Sequence, residues 1–193
     1  MTQIGAERVE MENKLMIKLV VGTEAMFFLA LIMVFVYFSL APGFRQLQIA
    51  ELDLRSTGLF SLLLFSSSFT YWRAEHSYNK GNIKKLKLWL LVTIVLGLAF
   101  LFGQGKEYVR LLHDHVNLGA NTFGTSFFTL TGFHGLHVVI GLLVIGIAIC
   151  LAAAGDFDNK ASTLIGIIGI YWHFVDIIWA VVFFVVYVIP HIH

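Results

Sequence analysis

The chain of 193 residues is 58% hydrophobic and only 13% charged, and its mean hydropathy is +0.82. Because a soluble domain carries about 25% charged residues, this composition excludes a soluble globular protein and indicates an integral membrane protein. The net charge of +1, without a long basic cluster, argues against nucleic-acid binding.

Five apolar runs predict an all-α bundle of five transmembrane helices. They cover approximately residues 19–40, 57–72, 86–102, 125–153 and 162–189. Pro42 and Pro190 follow the first and last runs, where proline ends a helix without breaking it. The polar segment before Leu19 lacks the basic head and short apolar core of a cleaved signal peptide. We therefore expect one membrane domain over residues 1–193.

The basic residues predict the orientation of the bundle. With the N-terminus in the cytoplasm, nine lysines and arginines lie inside and four lie outside. The loop from Arg73 to Lys87 alone contributes five of the nine. The positive-inside bias therefore favours a cytoplasmic N-terminus and a C-terminus outside.

Four ionisable residues interrupt the last two apolar runs: His134, His137, His173 and Asp176. An ionisable side chain at membrane depth costs a few kcal/mol or more unless it is paired or solvated. Each pair is three residues apart, so its members share one face of a helix. The pattern permits metal or haem ligation, but it favours hydrogen bonds between helices. His137 and Asp176 fall at similar depths on successive helices, where they could share a proton.

Further polar residues mark the other helices. Glu24 lies about 7–8 Å inside the first span, counted from Leu19. It is the best candidate for a buried protonatable carboxyl, either as a proton relay or as a polar anchor. His76 and Glu107 lie where the second and third helices leave the membrane, and we expect interfacial or lipid contacts from them. The run 66–68 of three serines could bond across helices or back to its own helix.

Several sequence motifs carry a family resemblance. They are Thr23-Glu-Ala-Met-Phe-Phe, Leu64-Phe-Ser-Ser-Ser, Trp72-Arg-Ala-Glu-His-Ser, Glu107-Tyr, Phe123-Gly-Thr-Ser-Phe-Phe, Thr131-Gly-Phe-His-Gly-Leu-His-Val and Tyr171-Trp-His-Phe-Val-Asp-Ile-Ile-Trp. With them, the chain resembles subunit III of the haem-copper terminal oxidases, in the short five-helix bacterial form. The mitochondrial form has seven spans, and this chain lacks the first two. It is therefore open which other subunit would supply the second wall of the lipid cleft here.

The resemblance implies a subunit of a bacterial inner-membrane oxidase that holds no haem, copper or other metal itself. Its partners would be catalytic subunit I, which reduces dioxygen to water and pumps protons, other oxidase subunits and bound phospholipid. Glu24 matches the family's carbodiimide-sensitive glutamate, and the subunit would support proton uptake and protect the enzyme during turnover. Cytochrome c is modestly favoured over quinol as the electron donor.

Two alternatives remain open. One is an accessory protein of nitric oxide reductase, from a branch that resembles the same family. The other is a small proton-coupled carrier, in which Glu24, His137 and Asp176 would form the relay.

Overall fold

The structure of the protein is a computed structural model that describes residues 3–41, 43–44, 48, 52–116, 119, 121–154 and 161–192. In this part of the chain there are five long helices, in the predicted order. They are α1 (Gln3–Ser39), α2 (Leu54–Asn79), α3 (Ile83–His113), α4 (Thr122–Ala154) and α5 (Ala161–Phe183).

The predicted spans fall within these helices apart from their ends, and α2 and α3 are much longer than predicted, with 26 and 31 residues. Capping side chains rather than hydropathy set where they begin. Asp53 accepts hydrogen bonds from the backbone N–H groups of Arg55 and Ser56, and Asn82 accepts one from Lys85. A capping oxygen satisfies a free donor of the first turn, and each of these helices begins three residues before its predicted span.

Among the residues that the structure describes, four helical ranges are long and apolar enough to cross a membrane: Leu15–Ser39, Ile83–His113, Thr122–Ala154 and Thr163–Ile192. The fourth of these ranges includes the residues that follow α5. The helix α2 does not belong to the set, so the fifth span over residues 57–72 remains a prediction. Its interior carries many buried hydroxyl groups, and several of them donate to carbonyls of the same helix, as Ser61, Ser67, Thr70 and Ser77 do. Bonds of this kind lower the cost of burying a polar helix.

The sequence suggested that the last helix ends before Pro190, but in the structure it continues past this residue. It continues through a π-helical segment, Phe184–Val188, into a short turn, α6 (Ile189–Ile192), that contains Pro190. Proline has no N–H to give to the carbonyl four residues earlier, which belongs to Val186. The side chain of Gln48 donates to that carbonyl at 2.6 Å. A distant amide thus supplies the bond that Pro190 cannot make.

The helices α2 and α3 pack along each other most extensively, and α5 lies against α1, α2 and α4. Aromatic rings fill the centre, with Trp172 and Trp179 of α5 fully buried. Trp172 lies against Gly97 of α3 and Gly141 of α4, where a β-carbon would come within 3.2 and 2.8 Å of the indole. The absence of a side chain at these two positions therefore lets three helices close around one ring.

Candidate functional site: paired ionisable groups between the helices

The structure joins Glu24 of α1 to His137 of α4. The Oε2 atom of Glu24 lies 3.0 Å from Nε2 of His137, and the exposed fractions of the two side chains are 33% and 11%. The ring of Phe28, one turn along α1, covers the imidazole at a centroid distance of 4.9 Å. The pair is therefore shielded on one side and reachable at the edge of Glu24.

The hydrogen-bond partners determine how many protons His137 and Glu24 hold. His137 Nδ1 lies 2.7 Å from the carbonyl oxygen of Phe133. Because a carbonyl can only accept, Nδ1 carries a hydrogen. The contact between Nε2 and Glu24 then needs one proton between two atoms that would otherwise both be acceptors. Whether that proton resides on nitrogen or on oxygen, the pair as a whole has no net charge, which is the inexpensive state inside a membrane.

Asp176 has a different partner from the one suggested by its depth. Its Oδ2 atom accepts a hydrogen bond from Ser68 of α2, and Ser68 Oγ also lies 3.0 Å from Nδ1 of His173. The predicted juxtaposition was with His137, whose imidazole instead contacts Glu24. The reason is that α4 packs against α1 as well as against α5, so its inward face had more than one possible partner.

His134 makes no hydrogen bond through either ring nitrogen to the residues that the structure describes. It is fully buried and stacks on Trp179, with ring centroids 4.7 Å apart and an interplanar angle of 26°. The rings of Phe28 and Phe100 meet it edge-on. The interhelical hydrogen bond predicted for His134 has no partner among the described residues, where this histidine packs as an aromatic ring.

Glu107, expected at the interface, lies inside the bundle with 8% of its surface exposed. Its Oε2 atom accepts hydrogen bonds from Thr57 at 3.0 Å and from Tyr187 at 2.7 Å. Arg110 approaches the other oxygen at 3.7 Å. The carboxyl thus connects α2, α3 and the π-helical segment next to a cavity of about 120 Å³.

The remaining candidate, His76, is exposed and stacks on Trp72 of its own helix, with ring centroids 5.9 Å apart. The serine run follows both readings that the sequence left open. Ser66 donates back to Leu62 of its own helix, whereas Ser68 reaches across to Asp176.

Sequence reasoning missed Gln104, whose side-chain amide donates to the backbone carbonyl of Thr131 at 2.7 Å and to Tyr108 at 3.1 Å. It also missed the contact between Tyr187 and Glu107. An amide near the end of an apolar run was the signal for the first. No local pattern marks the second, because its two members are 80 residues apart.

In the described part of the chain, no three histidine, cysteine, aspartate or glutamate side chains gather closely enough to hold a metal ion. The arrangement that the structure does contain consists of carboxyl groups with imidazole or hydroxyl partners. Such groups can hold, exchange and pass protons.

Comparison with known proteins gives a consistent result. Residues 4–190 match the family model described as Cytochrome c oxidase subunit III. The probable cytochrome c oxidase subunit 3 of Nocardia farcinica is 34% identical over 167 residues, which cover 86% of this chain and 82% of the relative. The cytochrome c oxidase subunit 3 of Synechocystis sp. is 34% identical over 86% of this chain and 71% of its own length. The quinol oxidase subunit 3 of Bacillus spizizenii is 38% identical over 67% of this chain and 63% of its own length.

Proposed function

The chain belongs to the cytochrome c oxidase subunit III family, and we propose that it supports proton uptake by a haem-copper oxidase of a bacterial inner membrane. In this role it has no redox centre of its own. It packs beside catalytic subunit I, which holds haem and copper, and keeps the surrounding lipid and proton supply in order.

The Glu24–His137 pair is the observation that carries the proposal. The pair holds one proton in the bond between its members, and the edge of Glu24 is accessible. The single proton can leave and return at the accessible edge of Glu24, so the pair alternates between a neutral state and a state with one negative charge. That property suits a subunit that buffers or delivers protons next to an enzyme that consumes them.

A cavity of about 460 Å³ between α1 and α4 supports the lipid part of the proposal. Its apolar wall includes Leu31, Val34 and Phe38, whereas α4 contributes a series of polar groups, Thr122, Thr125, Ser126 and Thr129. Apolar surface next to hydroxyl groups suits a phospholipid, with its acyl chain along α1. Away from this cavity, the basic residues of 73–87, where α2 ends and α3 begins, would each contribute about 1 kcal/mol to attraction toward an anionic membrane surface.

The experiment compares oxidase complexes with and without this chain, across pH and over many turnovers. We expect the haem spectrum and the initial rate of oxygen reduction to survive its removal. The number of turnovers before the complex loses activity should fall. The rate of oxygen reduction should decrease first at high pH, where protons are scarce. If removal abolishes electron transfer at once at every pH while the haems remain, the supporting role is wrong.

A point variant tests the carboxyl without removing the subunit. Glu24→Gln should reproduce the loss of endurance at high pH, because an amide cannot exchange the shared proton. The matched control is Glu12→Gln, which changes an exposed carboxyl of the same helix and should behave like the wild type. Equal behaviour of the two variants would remove Glu24 from the mechanism.

The rival functions fare differently. The carrier would need Glu24, His137 and Asp176 in one relay, but Asp176 bonds to Ser68 and not to this pair. Relatives named for cytochrome c oxidase and for quinol oxidase both match. The visible spectrum and donor specificity of the purified complex distinguish these two oxidases from each other and from a nitric oxide reductase.

A further inference from the structure

Three side chains of α2 and α5 form a continuous hydrogen-bonded chain. His173 Nδ1 lies 3.0 Å from Ser68 Oγ, and Ser68 is hydrogen-bonded to Oδ2 of Asp176. His173 is partly exposed, whereas only 5% of the surface of Asp176 is exposed. The second carboxyl oxygen of Asp176 has no hydrogen-bond partner among the residues that the structure describes. The hydrogen-bonded chain therefore runs from an accessible imidazole to a carboxyl in the interior.

This chain has two complete bonding patterns, because a serine hydroxyl is one donor and also an acceptor. In the first pattern, the imidazolium of His173 donates to Ser68, and Ser68 donates to the carboxylate of Asp176. In the second pattern, protonated Asp176 donates to Ser68, and Ser68 donates to the neutral imidazole. Every bond is retained, with its direction reversed.

Conversion between the patterns moves two protons by one step each, with the net transfer of one proton from His173 to Asp176. The N–H bond at His173 Nδ1 breaks while an O–H bond forms on Ser68, and the original O–H bond of Ser68 breaks while one forms on Asp176. The imidazolium becomes neutral and the carboxylate becomes a carboxylic acid. No electrons are transferred, and the net charge of the three residues is unchanged.

We propose that His173, Ser68 and Asp176 form a proton relay in which the imidazole takes up protons and Asp176 stores them inside the bundle. The relay uses neither Glu24 nor His137, and it does not depend on the proposed function.

The charged and titratable neighbours define how protons reach the relay. On α2, the carboxylate of Glu75 acts electrostatically on His173 and lies nearer the end of that helix. Tyr71 of α2 meets the imidazole edge-on, but its hydroxyl is committed to the backbone carbonyl of Ile165 at 2.7 Å. From α1 and α4, the Glu24–His137 pair faces α5 at Tyr171, whose hydroxyl donates to a backbone carbonyl. Glu75 is thus an acidic neighbour of the imidazole at which the relay begins.

The same contacts could act only as a clamp that holds α2 against α5. A clamp and a relay differ in kinetics, because only a relay requires the hydroxyl for the protonation of Asp176. A useful measurement must therefore follow the proton on this carboxyl and not just the stability of the bundle.

The test uses time-resolved infrared spectroscopy of the intact oxidase complex after a jump from alkaline to mildly acidic pH. In the wild type we expect a carboxylic C=O band to grow, and Asp176→Asn should remove this band. Ser68→Ala breaks the chain, and it should slow the growth of the band by about 100-fold, at the low end of what a positioned proton-transfer group contributes. Ser68→Thr retains a hydroxyl and should restore the rate.

Ser66→Ala is the matched control, because Ser66 lies on the same helix and, within the described part of the chain, its hydroxyl bonds to Leu62 of its own helix. It should leave the rate unchanged. A wild-type rate in Ser68→Ala would reduce the contacts to a clamp, and so would the absence of a band that depends on Asp176. If Ser68→Ala does not assemble, His173→Gln tests the first step: slow protonation supports the relay, and an unchanged rate overturns it.

Discussion

Replacement of Gly141 by alanine should destabilise the bundle through one defined overlap. A β-carbon at this position would lie 2.8 Å from Cε3 and Cζ3 of Trp172. The indole cannot easily move away, because it is fully buried and its Nε1 atom donates to Ser67 at 3.1 Å. The ring also packs closely against Gly97 of α3, where a β-carbon would lie 3.2 Å from Cη2.

Two effects of opposite sign set the magnitude. Overpacking of a well-packed core costs about 1–3 kcal/mol. Replacement of glycine by alanine within a helix returns up to about 1 kcal/mol of helix propensity. The matched control, Gly146→Ala on the same helix, carries only the second effect, because no atom lies within 4 Å of its β-carbon position. The free energy of unfolding of Gly141→Ala should therefore be about 1–3 kcal/mol lower than that of Gly146→Ala.

The assay is unfolding of the purified chain in mixed micelles with increasing sodium dodecyl sulfate, followed by far-UV circular dichroism. Trp172→Phe removes the overlapping part of the indole, so the penalty of Gly141→Ala should shrink in that background. The coupling between the two substitutions should fall in the range of about 0.5–3 kcal/mol typical of residues in contact. Equal stability of the two alanine variants, or no coupling to Trp172, would refute this account of the packing.

Three further predictions concern individual groups. A hydrophobic carbodiimide, which attacks protonated carboxyl groups, should label Glu24; peptide maps with adducts only on the glutamates before residue 15 would contradict this. Tyr187→Phe removes a 2.7 Å hydrogen bond from the buried carboxyl of Glu107 and should lower the unfolding free energy by about 1–3 kcal/mol, whereas Tyr37→Phe, which alters a 72% exposed residue, should not. Finally, elemental analysis and a haem assay of the purified subunit should detect no stoichiometric metal or haem, and one tightly held transition metal per chain would overturn the expectation.

The positions of the helices could be predicted because lipid leaves a spanning segment few alternatives to a helix. The order of the five helices and the location of each apolar run agree with the structure. Hydropathy could not supply where α2 and α3 begin, because Asp53 and Asn82 cap these helices outside the apolar runs. Nor could it explain α2, in which buried hydroxyl groups bond to their own helix and need no apolar composition.

The polar partners could be predicted only in part. Spacing of three residues correctly placed His173 and Asp176 on one face, where both contact Ser68. Helical periodicity fixes the direction of a side chain around its own axis, but it does not say which neighbouring helix lies there. The partner of His137 is therefore Glu24, which lies 113 residues away. The same limit hid the aromatic packing of His134.

The separation of the two proton-binding groups leads to a last prediction. Glu24 and His137 lie between α1 and α4, whereas Ser68 and Asp176 lie between α2 and α5. Within the described residues, no hydrogen bond joins the two groups. Tyr171 of α5 lies next to the Glu24–His137 pair. Its hydroxyl donates to the backbone carbonyl of His137, and a carbonyl cannot pass a proton on.

The two sites should therefore exchange protons independently. In the infrared experiment, Glu24→Gln should leave the rate and amplitude of the Asp176 band at their wild-type values, while it abolishes carbodiimide labelling at residue 24. Conversely, Ser68→Ala should slow the Asp176 band and leave the labelling of Glu24 unchanged. If Glu24→Gln slows the protonation of Asp176 as strongly as Ser68→Ala does, protons reach Asp176 through the Glu24–His137 pair. The entrance that we assign to His173 would then be wrong, because the imidazole would stand downstream of that pair.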